Sequence, residues 1–187
     1  MIGIYIVIGI IVILIISTIV MYNRLVKMHN QMKNLWAQID VLLKRRHDLI
    51  PNLVETVKGY MEHERGTLEA VTEARNVAQA ASASGPAARS AAENALGGAL
   101  GRLMAVVESY PNLKANENFL ALQGQLTTTE NGISSARQSY NNMVMMCNNM
   151  NQQFPTNIIA RMFSFHDSEF FETETADERT APQVSFS

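Results

Sequence analysis

Four histidines (His29, His47, His63 and His166) and one cysteine, Cys147, are the side chains best suited to metal or nucleophilic chemistry, and their spacing assembles neither. No two histidines stand four apart, the spacing that puts two ring nitrogens on one helix face, and His63-Glu64 lacks the second histidine of a zinc-protease helix. The Glu-x-x-His pair of carboxylate-bridged di-metal bundles is absent. A lone cysteine excludes an intramolecular disulfide and any multi-cysteine metal centre. No serine sits in a G-x-S-x-G turn. The run Gly97-Gly98-Ala99-Leu100-Gly101 is followed by Arg102 rather than by Gly-Lys-Ser/Thr, and no strand precedes it, so it makes no phosphate loop. The chain therefore reads as not an enzyme, with no catalytic, cofactor or metal residue to assign.

The chemistry that remains is electrostatic. Arg46, Glu64 and Arg75 fall on apolar helical seams, and Glu130 and Arg137 lie one heptad apart beside another. An unpaired buried charge costs several kcal/mol, so these five should pair or face water. Ion pairs that fix helix register, within the chain or between copies, are the reading favoured over a polar channel or partner site. Arg46 and Arg75 are the partners expected for Glu64. Met143, Met145, Met146 and Met150 surround Cys147 at helical spacing and read as adaptable core filler rather than soft-metal ligands.

Those charges need helices to position them. Leu25, Met28, Met32, Leu35, Ile39, Leu42, Arg46 and Leu49 alternate three and four apart, a heptad seam that Pro51 should interrupt, with Asp48 as N-cap for the next helix. A second seam runs through Val54, Val57, Met61, Glu64, Leu68, Val71, Arg75 and Ala78, and a loop is expected over Ala80–Ala88 around Gly85-Pro86. A third takes Leu96, Leu100, Leu103, Val107 and Tyr110 up to Pro111; its Gly97, Gly98 and Gly101 weaken the helix and point to close approach by another one. The fourth runs unbroken from Phe119 to Phe154, 36 residues or about 53 Å. The expected fold is all-α, an N-terminal transmembrane helix followed by an up-down-up-down four-helix bundle of long helices.

The chain has 187 residues, of which only 17% are charged, below the roughly 25% of soluble domains. The deficit is unevenly placed, because residues 1–23 carry no charged side chain. Ile2–Tyr22 spans about 31 Å as a helix, enough to cross a bilayer, and it lacks the basic start and cleavage site of a signal peptide. Arg24, Lys27, Lys33, Lys44, Arg45 and Arg46 follow it with Asp40 as the only acid among them, which predicts a single-pass anchor with the large domain in the cytoplasm. The organisation expected is an anchor at 1–23, a bundle at 24–154, and a membrane-proximal segment with an acidic tail at 155–187. A net charge of -2 excludes a dedicated nucleic-acid binder.

If the first helix leaves the membrane, the fourth returns to it, which would bring Ile158, Ile159, Arg161, Met162 and Phe163 to the bilayer surface as a short interfacial segment; the alternative is that they cap the bundle end. The tail carries Asp167, Glu169, Glu172, Glu174, Asp177 and Glu178 against Arg179 alone, and its Phe170, Phe171, Val184 and Phe186 suggest docking on the bundle or on a neighbouring copy.

The segments YNRL (Tyr22–Leu25), RRHDLIPNLVE (Arg45–Glu55), SYPNLKANENF (Ser109–Phe119), FPTNIIA (Phe154–Ala160) and PQVSF (Pro182–Phe186) together resemble the LemA family of bacterial membrane proteins, in the family's order and over nearly the whole chain. The resemblance implies a single N-terminal membrane helix and long antiparallel helices, and transfers no catalytic residue. Family relatives are linked to membrane organisation, including one involved in forming magnetosome membranes. The function expected is thus a non-enzymatic scaffold in the bacterial inner membrane, without cofactor, that self-associates and organises the bilayer. Small residues at Ala91, Ala92, Ala95 and Ala99 would let copies pack. The alternative is a tethered adaptor that recruits another envelope protein through the bundle or the acidic tail.

Overall fold

The computed structural model describes residues 2–61 and 63–171, all helix, turn or irregular chain. The tail expected to dock lies, from residue 172 on, outside the described residues. Six α-helices are described: α1 (Ile2–Lys58), α2 (Arg65–Ala80), α3 (Pro86–Val107), α4 (Pro111–Lys114), α5 (Glu117–Gln152) and α6 (Thr156–Met162), with a 3-10 turn at Ala81–Ala83. The all-α expectation holds; the count of four long helices behind a separate anchor does not.

Three prolines explain much of the difference. Pro86 and Pro111 open α3 and α4, where the first turn has no intrahelical partner for the missing N–H. Pro111 thus starts a short helix after α3 has already ended at Val107. Pro51 lies inside α1, which runs unbroken for 57 residues from the apolar N-terminus, and Asp48 is an exposed mid-helix residue rather than a cap. Val54 and Val57 consequently belong to α1, and the expected second helix is shortened to α2.

The buried face of α1 follows the expected seam through Leu25, Met32 and Ile39, then moves to Leu43, Arg46, Ile50, Leu53 and Val57. The step from Ile39 to Leu43 replaces three residues by four. A straight helix of 3.6 residues per turn drifts about 20° per heptad from a 3.5 repeat, and one such step restores the register.

The chain forms two compact units, one from the residues up to Leu42 with Asn131–Glu169, the other from Leu43–Glu130 with the chain from Phe170. In the second unit one apolar core draws on five helices: Ile50, Leu53 and Val57 of α1, Leu68 and Val71 of α2, Leu96, Leu100, Leu103 and Val107 of α3, Leu113 of α4, and Phe119 and Leu126 of α5. In the first, Leu25, Met150, Ile159 and Ala160 form a smaller core flanked by Met21, Tyr22, Met28 and Phe165. Gly132 of α5 marks the close approach in this unit, since a methyl group there would meet Leu42 Cδ2 at 3.3 Å. The glycines of α3 do not play that part: a methyl at Gly97, Gly98 or Gly101 would meet nothing within 4 Å.

Candidate functional site

Pro51 cannot donate the i to i−4 hydrogen bond, so the carbonyl of His47 has no partner within α1. Arg75 of α2 supplies it: its Nε donates to His47 O at 2.7 Å. The helix passes through its proline because a neighbouring guanidinium replaces the lost N–H. Arg75, expected as an ion-pair partner of Glu64, serves backbone repair instead.

Beside it lies a buried ionic layer. Arg46 bridges two carboxylates, pairing with Glu93 of α3 through Nη2 and donating from Nη1 to Glu130 of α5 at 2.8 and 3.1 Å. Arg46 is 2% exposed and the Glu93 side chain is fully buried, whereas Glu130 is 39% exposed and marks the rim. His47 Nε2 approaches Glu93 Oε1 to 3.1 Å. Arg89 and Ser90, on the turn of α3 before Glu93, are buried as well. Burial alone would raise the Glu93 carboxyl; the hydrogen bond from His47 and the charges of Arg46 and His47 outweigh it and hold Glu93 below its ordinary value of 4.5. An ionised, enclosed carboxylate held by Arg46 and His47 is a structural anion, unsuited to passing protons at neutral pH.

Of the five seam charges, then, the structure joins Arg46 to Glu130 and places Arg75 beside them. Glu64 precedes α2, half-buried, and among the described residues its side chain makes no ion pair with Arg46 or Arg75. Arg137 is half-buried on α5 in the other unit, with an interaction of its own. Sequence reasoning missed Glu93, His47 and Arg89. The signal was present: extending the α3 seam backward from Leu96 by three and then four residues lands on Glu93 and Arg89.

No group of three or more His, Cys, Asp or Glu suited to a metal ion occurs among the described residues. An open groove of about 1000 Å³ lined by Val54, Lys58, Met61, Arg65, Leu68 and Glu73 includes no member of the ionic layer. Cys147 is buried, which raises its thiol and keeps it protonated. Met145 and Met146 are about half-exposed and do not fill the core, unlike Met150.

The other unit shows a second use of polar side chains. The chain after α6 runs back along α5 as a strap fastened by side-chain amides. Asn151 Nδ2 donates to His166 O at 3.0 Å, and Asn148 both donates to Ser168 O at 3.0 Å and accepts from Ser168 N at 2.8 Å. Tyr140 Oη donates to Glu169 O at 3.1 Å. The five candidate interface residues lie just before this strap. Ile159 is 6% exposed within the small core, while Ile158, Met162 and Phe163 are 51%, 66% and 48% exposed. Arg161 is exposed too.

α1 is, among the described residues, the one helix long and apolar enough to cross a membrane, and none of its apolar window is buried. A profile of the LemA family matches residues 35–186. The chain belongs to the LemA family. Two curated relatives are magnetosome proteins: MamQ 2 of Paramagnetospirillum magneticum, 25% identical over 87% of this chain and 69% of the relative, and MamQ of Magnetospirillum gryphiswaldense, 24% identical over 90% and 72%. Protein LemA of Metamycoplasma hominis is 24% identical over 80% of this chain and 68% of the relative. The apolar helix and this kinship point to a membrane-associated protein, and no described constellation argues for catalysis.

Proposed function

We propose that this LemA-family chain is a non-enzymatic, membrane-anchored scaffold whose copies associate and organise the bilayer. The observation that carries the reading is the continuity of α1, which runs from its apolar N-terminus into a packed segment at Leu25 without a break. A tether needs only an apolar segment and a flexible linker. A helix that enters its own core without a linker passes the tilt of the anchor to the packed unit, so neighbouring copies act on the orientation of one another's anchors.

The cations that follow Tyr22 support a cytoplasmic domain in the inner membrane of a bacterium. Ala91 and Ala95 are exposed on α3 beside the open faces of Gly97, Gly98 and Gly101, and support contact between copies there; Ala99 belongs to the chain's own core. Size-exclusion chromatography with light scattering on the full-length protein in detergent, paired with electron microscopy of vesicles that carry it, tests the reading. A homo-oligomer and altered vesicle shape are expected. A monomer that leaves vesicles unchanged would refute it, and a monomer that co-purifies with one stoichiometric partner would favour an adaptor.

A further inference from the structure

Beyond the apolar lead of α1, four of the seven large apolar side chains left exposed among the described residues of the first unit fall in one short segment. Within ten residues, Phe154, Ile158, Met162 and Phe163 are 81%, 51%, 66% and 48% exposed, an expensive cluster to leave in water. Their position is fixed by contacts made on the opposite side of the segment, where Ile159 and Ala160 pack into the core with Leu25, next to Met21 and Tyr22. Tyr22 ends the apolar stretch, and its ring lies 4.6 Å from that of Phe163 and 6.1 Å from that of Phe165. Phe163 therefore sits at the depth where the span meets its first cation, Arg24.

We propose that Phe154, Ile158, Met162 and Phe163 form a second bilayer contact, an apolar belt seated in the interfacial layer beside the emerging anchor. The argument for lipid as the occupant is continuity: the belt adjoins the point on α1 where its wholly unburied apolar window ends. The charges agree. Arg24, Lys27 and Arg161 are exposed nearby, suited to the level of lipid phosphates, while the closest acid in the strap, Asp167, is held by the side-chain amides of Asn151 and Gln152 at 3.3 and 2.7 Å. A span with a lateral foot is held at two points, which restricts rotation about the helix axis as a bare span does not. The inference rests on the anchored reading above.

The test uses the full-length chain with its single tryptophan changed, Trp36→Phe, and reporters placed one at a time by Ile15→Trp, Tyr22→Trp, Met162→Trp, Phe163→Trp and, as an exposed control, Gln138→Trp. Each variant is reconstituted in vesicles of phosphatidylcholine and phosphatidylglycerol containing lipids brominated at shallow or deep acyl positions. Expected are blue-shifted emission and loss of intensity to shallow bromines for Met162→Trp and Phe163→Trp, matching Tyr22→Trp, with Ile15→Trp quenched by deep bromines and Gln138→Trp by neither. Water-like emission at 162 and 163 beside quenched reporters at 15 and 22 would overturn the belt alone. Blue but unquenched emission at 162 and 163 would also overturn it, because a protein neighbour would then cover those positions. Unquenched reporters at 15 and 22 would instead overturn the anchored reading.

Discussion

If Arg75 substitutes for the amide that Pro51 lacks, the two residues must be energetically coupled. Arg75→Met keeps an aliphatic stem of similar reach but orphans the His47 carbonyl, whose residue is only 5% exposed. A bond from a charged donor at 2.7 Å contributes about 1.5–3 kcal/mol; since Arg75 is half-buried, the expected loss is near the lower end, about 1–2 kcal/mol. Pro51 is exposed, so Pro51→Ala sacrifices little packing and restores an N–H aimed at the same carbonyl. In that background Arg75→Met should cost only its side-chain contacts, leaving a coupling of about 1 kcal/mol. Urea unfolding of the four proteins in detergent, followed by far-UV ellipticity, measures it. Additivity within about 0.3–0.5 kcal/mol would refute the repair and leave the continuity of α1 through Pro51 without this explanation.

Glu93 makes a pH prediction. Its carboxyl is held below 4.5 in the folded state, so its contribution is present above that value and declines as pH falls from 4.5 through the lowered folded value; Glu93→Gln should be less stable at neutral pH and lose that acid slope, read from unfolding midpoints between pH 7 and pH 3. Gly97→Ala, Gly98→Ala and Gly101→Ala should each stabilise the chain by roughly 0.5–1 kcal/mol, because the added methyl meets nothing and the helix loses a flexible residue; destabilisation in the monomeric state would contradict the open faces described for α3. Asn148→Ala removes both amide bonds to Ser168 and should speed proteolysis within residues 164–169, whereas an unchanged digestion pattern would show that the strap does not depend on them. Cys147 should resist maleimide in the folded protein and react once denatured; rapid labelling under native conditions would contradict its burial.

The longest features were legible because their patterns are long. The uncharged run marked the apolar, unburied lead of α1, and the unbroken heptads from Phe119 marked the long helix α5, which the structure bounds at Glu117–Gln152. What failed did so where a distant residue decided a local question. A proline after a plausible N-cap reads as a break unless the donor for His47 O is known, and Arg75 lies 28 residues away. The α3 glycines read as a close-packing face, whereas the face is open and the tight spot is the lone Gly132. Arg46 stood out because a charge breaks an apolar seam, and Glu130 because it lies beside one, a heptad from Arg137. Glu93 escaped because its seam was begun at Leu96, one step too late. Docking of the tail was expected from its phenylalanines, and its described start, through Ser168 and Glu169, is held on α5; the means was not legible, because asparagine side chains that bind backbone carbonyls leave no periodicity in the segment they hold.

The central claim is that the leading segment of α1 resides in lipid and carries the helical units with it. Alkaline carbonate extraction of membranes from cells that express the intact full-length chain tests this most directly. The account predicts that the protein stays with the sedimented bilayer until detergent is added; release of the intact chain into the alkaline supernatant would contradict it.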